Sequence, residues 1–119
     1  ALTLHHGMLQ RQMPPQANLL LYGNVPLGSG LSSSASLECA IGYALASLAS
    51  VESIDLTQLA LAGQQAEHRY AGTACGIMDQ LVCAAGEADH AMFIDCQTLQ
   101  TEPVPLCLGD ALTLVICNS

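Results

Sequence analysis

The strongest constraint on the fold lies in residues 26–38, which read Pro-Leu-Gly-Ser-Gly-Leu-Ser-Ser-Ser-Ala-Ser-Leu-Glu. An apolar segment with strand character, residues 19–25, precedes them, and good helix formers fill residues 36–49. A strand, a glycine-rich turn and a helix start, in this order, place backbone N–H groups at the positive end of a helix. The sequence therefore predicts an anion site, with phosphate as the first candidate.

The same residues also have to be compared with a plain strand-to-helix turn and with two well-known phosphate fingerprints. Gly28 and Gly30 can adopt positive φ, and the serine hydroxyls that follow can cap a helix or reach a phosphate or metal ion. A Walker loop requires a Gly-Lys pair, and no lysine stands here. The dinucleotide fingerprint requires Gly or Ala where this chain has Ser33, and an acidic residue about 20 positions later at a strand end. Neither fingerprint fits.

Composition indicates part of a larger body. The chain has 119 residues, of which 51% are hydrophobic and 10% charged, whereas ordinary domains carry about 25% charged residues. This leaves little charged surface for a small independent domain. Together with a start at Ala1 rather than methionine, this predicts an internal fragment covering part of one domain.

The charge balance limits the possible partners. The net charge is −8, and Arg11 and Arg69 are the only basic side chains besides the histidines. Nucleic-acid binding is excluded because it requires clustered Lys and Arg. With neither a long apolar run nor a signal peptide, we expect a soluble, cytoplasmic protein that does not bind membranes. An anion site in such a chain must rely on backbone N–H groups and a divalent cation.

Six cysteines occur without any Cys-x-x-Cys pair, so buried, reduced thiols are favoured over disulfides or zinc. The neighbours His5 and His6 diverge on a helix and are not expected to share a metal.

The predicted elements run in the following order. Residues 1–12 read as a helix end, broken at 13–16, and residues 18–25 as a strand. Ser32 or Ser33 would cap the next helix. Asp55, with Gln58 at the third position, would cap a helix over residues 56–70 that Gly72 ends. A short helix should follow, reaching residue 85, then strands over residues 91–96, 98–106 and 112–117.

Two carboxylates in these helices attract attention. Taken alone, Glu67 is an ordinary solvent-facing charge, and Asp79 is an ordinary acid in a first helical turn. Asp79, however, has apolar neighbours and follows Gly76, which lets a ligand approach closely. Such surroundings suit a carboxylate that orients a substrate hydroxyl or accepts its proton. Asp95 is expected to be a turn or edge residue.

Four segments together carry a family resemblance. The loop resembles the second signature of the GHMP small-molecule kinase superfamily, which contains galactokinases, homoserine kinases and mevalonate kinases. Three further stretches are similar to galactokinases in order and spacing: Gln-Gln-Ala-Glu-His at 64–68, Cys-Gly-Ile-Met-Asp-Gln at 75–80 and Phe-Ile-Asp-Cys-Gln-Thr-Leu at 93–99. The similarity covers the chain from about residue 21 to its end.

The resemblance implies an α/β (α+β) fold of the ribosomal protein S5 domain 2-like type, with a mixed sheet packed against helices. Residues 1–119 would form part of the N-terminal domain of a two-domain kinase. In such a kinase Ser34 and Glu67 would hold Mg²⁺, with Ser33 as the alternative hydroxyl, and Asp79 would be the catalytic base or orienter. Gly76 and Asp79 would contact the sugar. The nucleotide phosphates would contact the loop, at Pro26, Gly28, Ser29, Gly30, Leu31, Ser32, Ser33 and Ser34.

The activity implied is phosphorylation of galactose at its C1 hydroxyl by MgATP, in a protein that is monomeric when complete. The N-terminal sugar-contact signature and the C-terminal glycine-rich signature of galactokinases are not in this sequence, so the 119 residues alone should be inactive. Three alternatives stay open: an N-acetylgalactosamine kinase, a galactokinase-like sugar sensor that regulates transcription, and an inert remnant. The intact Ser-Ser-Ser-Ala-Ser stretch favours a kinase over the sensor.

Overall fold

The computed structural model describes residues 18–106, 109, 112–113 and 115–117. Helix α1 spans Ser33–Leu48, and α2 spans Leu56–Ala66 and continues into a π-helical turn at Glu67–Ala71. Helix α3 spans Met78–Ala85. Strands β1 (His90–Asp95) and β2 (Gln100–Pro105) form an antiparallel hairpin, in a register that pairs His90 with Pro105 and Asp95 with Gln100. The predicted mixture of helices and sheet is confirmed.

Packing among the three helices forms the core. Leu45 of α1 packs with Ala62 of α2, and Ile41 covers this contact. A second cluster joins Ala60, Ile77 and Leu81, and the hairpin adds Ile94 and Leu99 to it. Leu81 is only 1% exposed, so α3 lies between the helix pair and the hairpin.

Two side chains that organise turns behave as the sequence predicts. Asp55 caps α2 because its carboxylate accepts the Gln58 N–H at 3.1 Å. Asp95 ends β1 and accepts the N–H groups of Gln97 at 2.8 Å and Thr98 at 3.3 Å. These hydrogen bonds lower the pKa of Asp95. The helix end at Gly72 is also confirmed, with φ of 70°.

Two predicted strands are wrong in this structure. Residues 18–25 are irregular, and so are the described residues between 112 and 117. A strand is held by hydrogen bonds to a neighbour, and within the described part of the chain the only pairing is between β1 and β2. The β propensity of these segments is therefore not realised. The predictions for residues 1–16 lie outside the described residues.

Much apolar surface is exposed, in agreement with the low proportion of charged residues. Leu37, Tyr43 and Leu48 of α1 are all exposed. The described cysteines are free thiols, as predicted, but only Cys39 is buried, and Cys83, Cys96 and Cys117 are exposed. Their burial was predicted wrongly because the apolar segments around them are themselves uncovered. In the described part of the chain, no helix is long and apolar enough to cross a membrane.

Candidate active site

The loop before α1 has the backbone of an anion-binding turn. Gly28 and Gly30 have φ of 70° and 73°, and Ser32 has φ of 57°. Space is open where a Cβ would stand at either glycine, so positive φ, rather than crowding, favours glycine there. The Ser29 hydroxyl donates to the Pro26 carbonyl at 2.8 Å and closes the turn. Such alternation of positive and negative φ directs successive N–H groups toward one side, where an anion can bind.

Ser32 occupies the N-cap position of α1, as predicted, but it does not cap the helix with its side chain. Its backbone is left-handed, whereas a capping serine has an extended backbone from which its hydroxyl reaches the N–H groups of the first turn. Left-handed non-glycine residues cost about 1 kcal/mol or more and concentrate at functional sites. The Ser32 hydroxyl oxygen consequently accepts no hydrogen bond from the first-turn N–H groups.

A hydroxyl and two carboxylates meet one turn into α1. The Ser34 hydroxyl is within hydrogen-bonding distance of two acceptors, Glu67 Oε2 and, at 3.3 Å, Glu38 Oε1. Glu67 begins the π-helical turn after α2 and is only 9% exposed, so the expectation of a solvent-facing charge is wrong. The structure thus brings together Ser34 and Glu67, which lie 33 positions apart in the sequence.

The two carboxyl groups shift each other's pKa in opposite directions. Burial, reinforced by the hydrogen bond with Glu67, raises the pKa of Glu38 to about 7. Hydrogen bonds from Glu38 and from Ser34 lower the pKa of Glu67. Of the two carboxyl groups, Glu38 is therefore the one that holds a proton more readily, which reduces the repulsion between them.

A buried amide supports Glu38 from the opposite side. Gln80 of α3 is 2% exposed, and its Nε2 donates to Glu38 Oε2 at 3.3 Å. Its Oε1 has no hydrogen-bond partner in the described part of the chain. Gly63 of α2 leaves room for both side chains, since a Cβ there would lie 3.2 Å from Gln80 Cγ and 3.4 Å from Glu38 Oε2.

The segment that carries Gly76 is anchored through its neighbour Cys75. The Cys75 carbonyl accepts Gln64 Nε2 at 3.2 Å and pairs with His68 Nε2 at 2.9 Å. Gly76 is exposed, and Asp79 is an exposed residue in the first turn of α3. Within the described structure, no hydrogen bond joins Asp79 to Ser34 or Glu67. The expected sugar-side residue Asp79 is thus not hydrogen-bonded to the expected metal-side residues, while its neighbour Gln80 links α3 to Glu38.

The donor set fits a magnesium ion. In the described structure no three His, Cys, Asp or Glu side chains are grouped as metal ligands. One hydroxyl and a carboxylate pair are, however, the hard oxygen donors that Mg²⁺ prefers, and Mg²⁺ usually completes its shell with water and phosphate oxygens. Sequence reasoning missed Glu38 and Gln80 as members of this cluster. The spacing of Ser34 and Glu38, four residues apart on one helix face, was the available signal for Glu38.

An apolar groove also lies beside the loop. It has a volume of about 530 Å³ between the irregular segment at 19–27 and α1, and Leu37, Ala40 and Ile41 form part of its lining. No sequence pattern pointed to it.

Comparison with known proteins places the chain in a family. The family described as "GHMP kinases N terminal domain" matches residues 3–87. The chain therefore belongs to the GHMP kinases, and the matched part is their N-terminal domain. A curated galactokinase from Chloroflexus aggregans (strain MD-66 / DSM 9485) is 47% identical over 114 residues. That similarity covers 95% of this chain and 28% of the relative's length. The resemblance predicted from the four segments is confirmed.

Proposed function

We propose that this chain belongs to a galactokinase, which transfers the terminal phosphoryl group of ATP to the C1 hydroxyl of galactose and forms galactose 1-phosphate. The observation that carries the proposal is the contact between Ser34 and Glu67 directly behind the glycine loop. Its support is the 47% identity with a curated galactokinase.

The loop residues supply the nucleotide site in this proposal. Backbone N–H groups from Gly28 to Ser34 would bind the phosphates, because their dipoles and the N-terminus of α1 favour negative charge. The apolar groove beside the loop suits a nucleotide base. The contribution of these fixed donors is to position the phosphates and to stabilise charge in the transition state.

Ser34 and Glu67 would hold Mg²⁺, which when bound neutralises charge on the phosphate oxygens. The charge balance of this chain supports this function, because Arg11 and Arg69 are its only Lys or Arg residues and no lysine stands in the loop.

Asp79 would orient the galactose C1 hydroxyl and accept its proton as the oxygen attacks phosphorus, with Gly76 against the sugar. Its exposed position at the start of α3 lets a sugar reach it. Asp79→Asn keeps the shape and removes the base, so we expect kcat to fall about 10²-fold or more. Asp89→Asn is a matched control, because Asp89 is exposed and has φ of 61°, which Asn tolerates.

The complete protein would act as a monomer in the cytoplasm on galactose and MgATP, without nucleic acid or membrane partners.

The test is a coupled ADP-release assay on the complete protein that carries this sequence, at fixed MgATP, with galactose, N-acetylgalactosamine and glucose. Turnover with galactose alone is expected. Turnover with N-acetylgalactosamine and not with galactose would contradict the assignment of galactose as the substrate. If sugar protects the protein against unfolding but no turnover occurs, the result would contradict the kinase and favour a sugar sensor. Normal turnover of Asp79→Asn would refute the role of Asp79.

A further inference from the structure

We propose that Glu38 is a positioning residue of the proposed metal site, that its Oε1 accepts a hydrogen bond from the Ser34 hydroxyl when a cation lies between Ser34 and Glu67, and that Gln80 holds Glu38 in place. The inference rests on the proposed function, since it presumes a divalent cation at Ser34 and Glu67. It assigns a function to two residues outside the set expected from sequence.

The first step is the hydrogen count at Ser34. A hydroxyl has one proton and two lone pairs, yet Ser34 Oγ lies near two acceptors, Glu67 Oε2 and Glu38 Oε1. It can donate to only one of them at a time. The second acceptor therefore provides an alternative position for the same proton.

The second step is the effect of a cation. A cation held by Ser34 and Glu67 needs a lone pair of the hydroxyl and excludes a proton from the space between the two oxygens. The hydroxyl must then rotate and donate elsewhere. Glu38 Oε1, at 3.3 Å on the next turn of α1, is the acceptor that the structure provides. Without it, the hydroxyl proton would lose its partner as the cation binds, which weakens the binding.

The third step is the support of Glu38 itself. Its other oxygen, Oε2, accepts Gln80 Nε2 at 3.3 Å. Gln80 is almost fully buried, and its Oε1 lacks a partner in the described part of the chain. Leaving a buried carbonyl without a hydrogen bond is unfavourable, whereas Gln80 Nε2 is satisfied by Glu38 Oε2 and, at 3.8 Å, by Cys75 Sγ. Glu38 thus faces Ser34 with one oxygen and is fixed by α3 with the other.

This arrangement predicts a difference between two Glu38 variants. In Glu38→Leu the side chain has a similar size but no oxygen, so it should no longer accept the hydrogen bond from Ser34. Glu38→Gln can keep its carbonyl oxygen toward Ser34 if Gln80 rotates its amide, because the unpartnered Gln80 Oε1 would then accept the new NH₂ group. Glu38→Gln should therefore keep the cation binding that Glu38→Leu loses. A residue needed only for its charge would not show this rescue.

The experiment measures Mn²⁺ binding by electron paramagnetic resonance, with ADP present, in the complete protein that carries this sequence. Mn²⁺ replaces Mg²⁺ because it prefers the same oxygen donors. We expect Glu38→Leu to weaken Mn²⁺ binding about tenfold, the equivalent of one hydrogen bond to a charged group. Glu38→Gln should stay within about threefold of the unaltered protein, as should Glu52→Gln, an exposed carboxylate elsewhere. ADP binding without metal should be the same in all variants.

Two results would overturn the inference while leaving the proposed function intact: wild-type Mn²⁺ affinity in Glu38→Leu, or equal weakening in Glu38→Leu and Glu38→Gln. Thermal unfolding of each variant shows whether it is folded. If Glu38→Leu fails to fold, Gln80→Leu replaces it, and about tenfold weaker Mn²⁺ binding is again expected; unchanged binding there refutes the inference. Absence of Mn²⁺ binding by the unaltered protein would refute both the metal site and this inference.

Discussion

Ser33 and Ser34 are adjacent serines with different surroundings, and their alanine variants test the geometry of the site. Ser34 lies within hydrogen-bonding distance of both carboxylates, whereas the Ser33 hydroxyl has no hydrogen-bond partner among the described residues. Sequence reasoning left either serine as the metal ligand. The structure favours Ser34, and Ser34→Ala should therefore have an effect that Ser33→Ala lacks.

The magnitude follows from the contacts. A hydrogen bond to a charged group contributes about 1.5–3 kcal/mol, but Ser34 is exposed, so water replaces part of this contribution. Alanine also favours a helix over serine by about 0.5 kcal/mol. We expect Ser34→Ala to lower the free energy of unfolding by about 1 kcal/mol and, through the lost oxygen ligand, to weaken metal binding about tenfold.

The assay is the ratio of ADP affinities with and without Mg²⁺, measured by calorimetry in the complete protein. This ratio isolates the metal from phosphate contacts that either serine makes. Ser34→Ala should reduce the ratio about tenfold, and Ser33→Ala should leave it unchanged even if ADP binds less tightly. A larger reduction for Ser33→Ala, or none for Ser34→Ala, would refute the assignment of Ser34.

Three further predictions concern packing, capping and thiol chemistry. Leu81→Ala should lower the free energy of unfolding in urea by about 3 kcal/mol, because Leu81 is fully buried. Val82→Ala should lower it by less than about 1 kcal/mol, because Val82 is 47% exposed. Equal losses would contradict the position of α3. Asp55→Ala should cost about 1 kcal/mol and Asp55→Asn much less, because Asn also caps helices; equal losses would contradict the cap. Burial raises the pKa of Cys39 to about 11. At pH 8.5 iodoacetamide should therefore modify the exposed Cys96 and leave Cys39 unmodified. Equal labelling of the two cysteines in peptide mass spectrometry would contradict the burial of Cys39.

The features predicted correctly from the sequence depend on neighbours in the chain. Asp55 reaches Gln58, and Asp95 reaches Gln97, within two or three residues, so composition and spacing were sufficient. Residues 18–25 show the opposite case, because a strand is formed only when another segment pairs with it. The π-helical turn that begins at Glu67 likewise has no local signature, since its residues suit an ordinary α-helix.

The site was predicted only in part for the same reason. Ser34 and Glu67 were named through the family resemblance, and the structure brings them into contact. Glu38 and Gln80, by contrast, lie 42 positions apart, and their hydrogen bond depends on how α1 and α3 pack. From the sequence alone, Gly63 would be expected only to destabilise its helix. In the structure, its missing side chain makes room for Glu38 and Gln80.

The most direct test of the central claim is phosphorus NMR of the products formed from galactose and MgATP by the complete protein that carries this sequence. We predict a new sugar phosphate whose phosphorus couples to the anomeric proton, which places the phosphate on C1, and its formation should be lost in Asp79→Asn. A phosphate on another carbon, or ATP consumption without a sugar phosphate, would contradict the account.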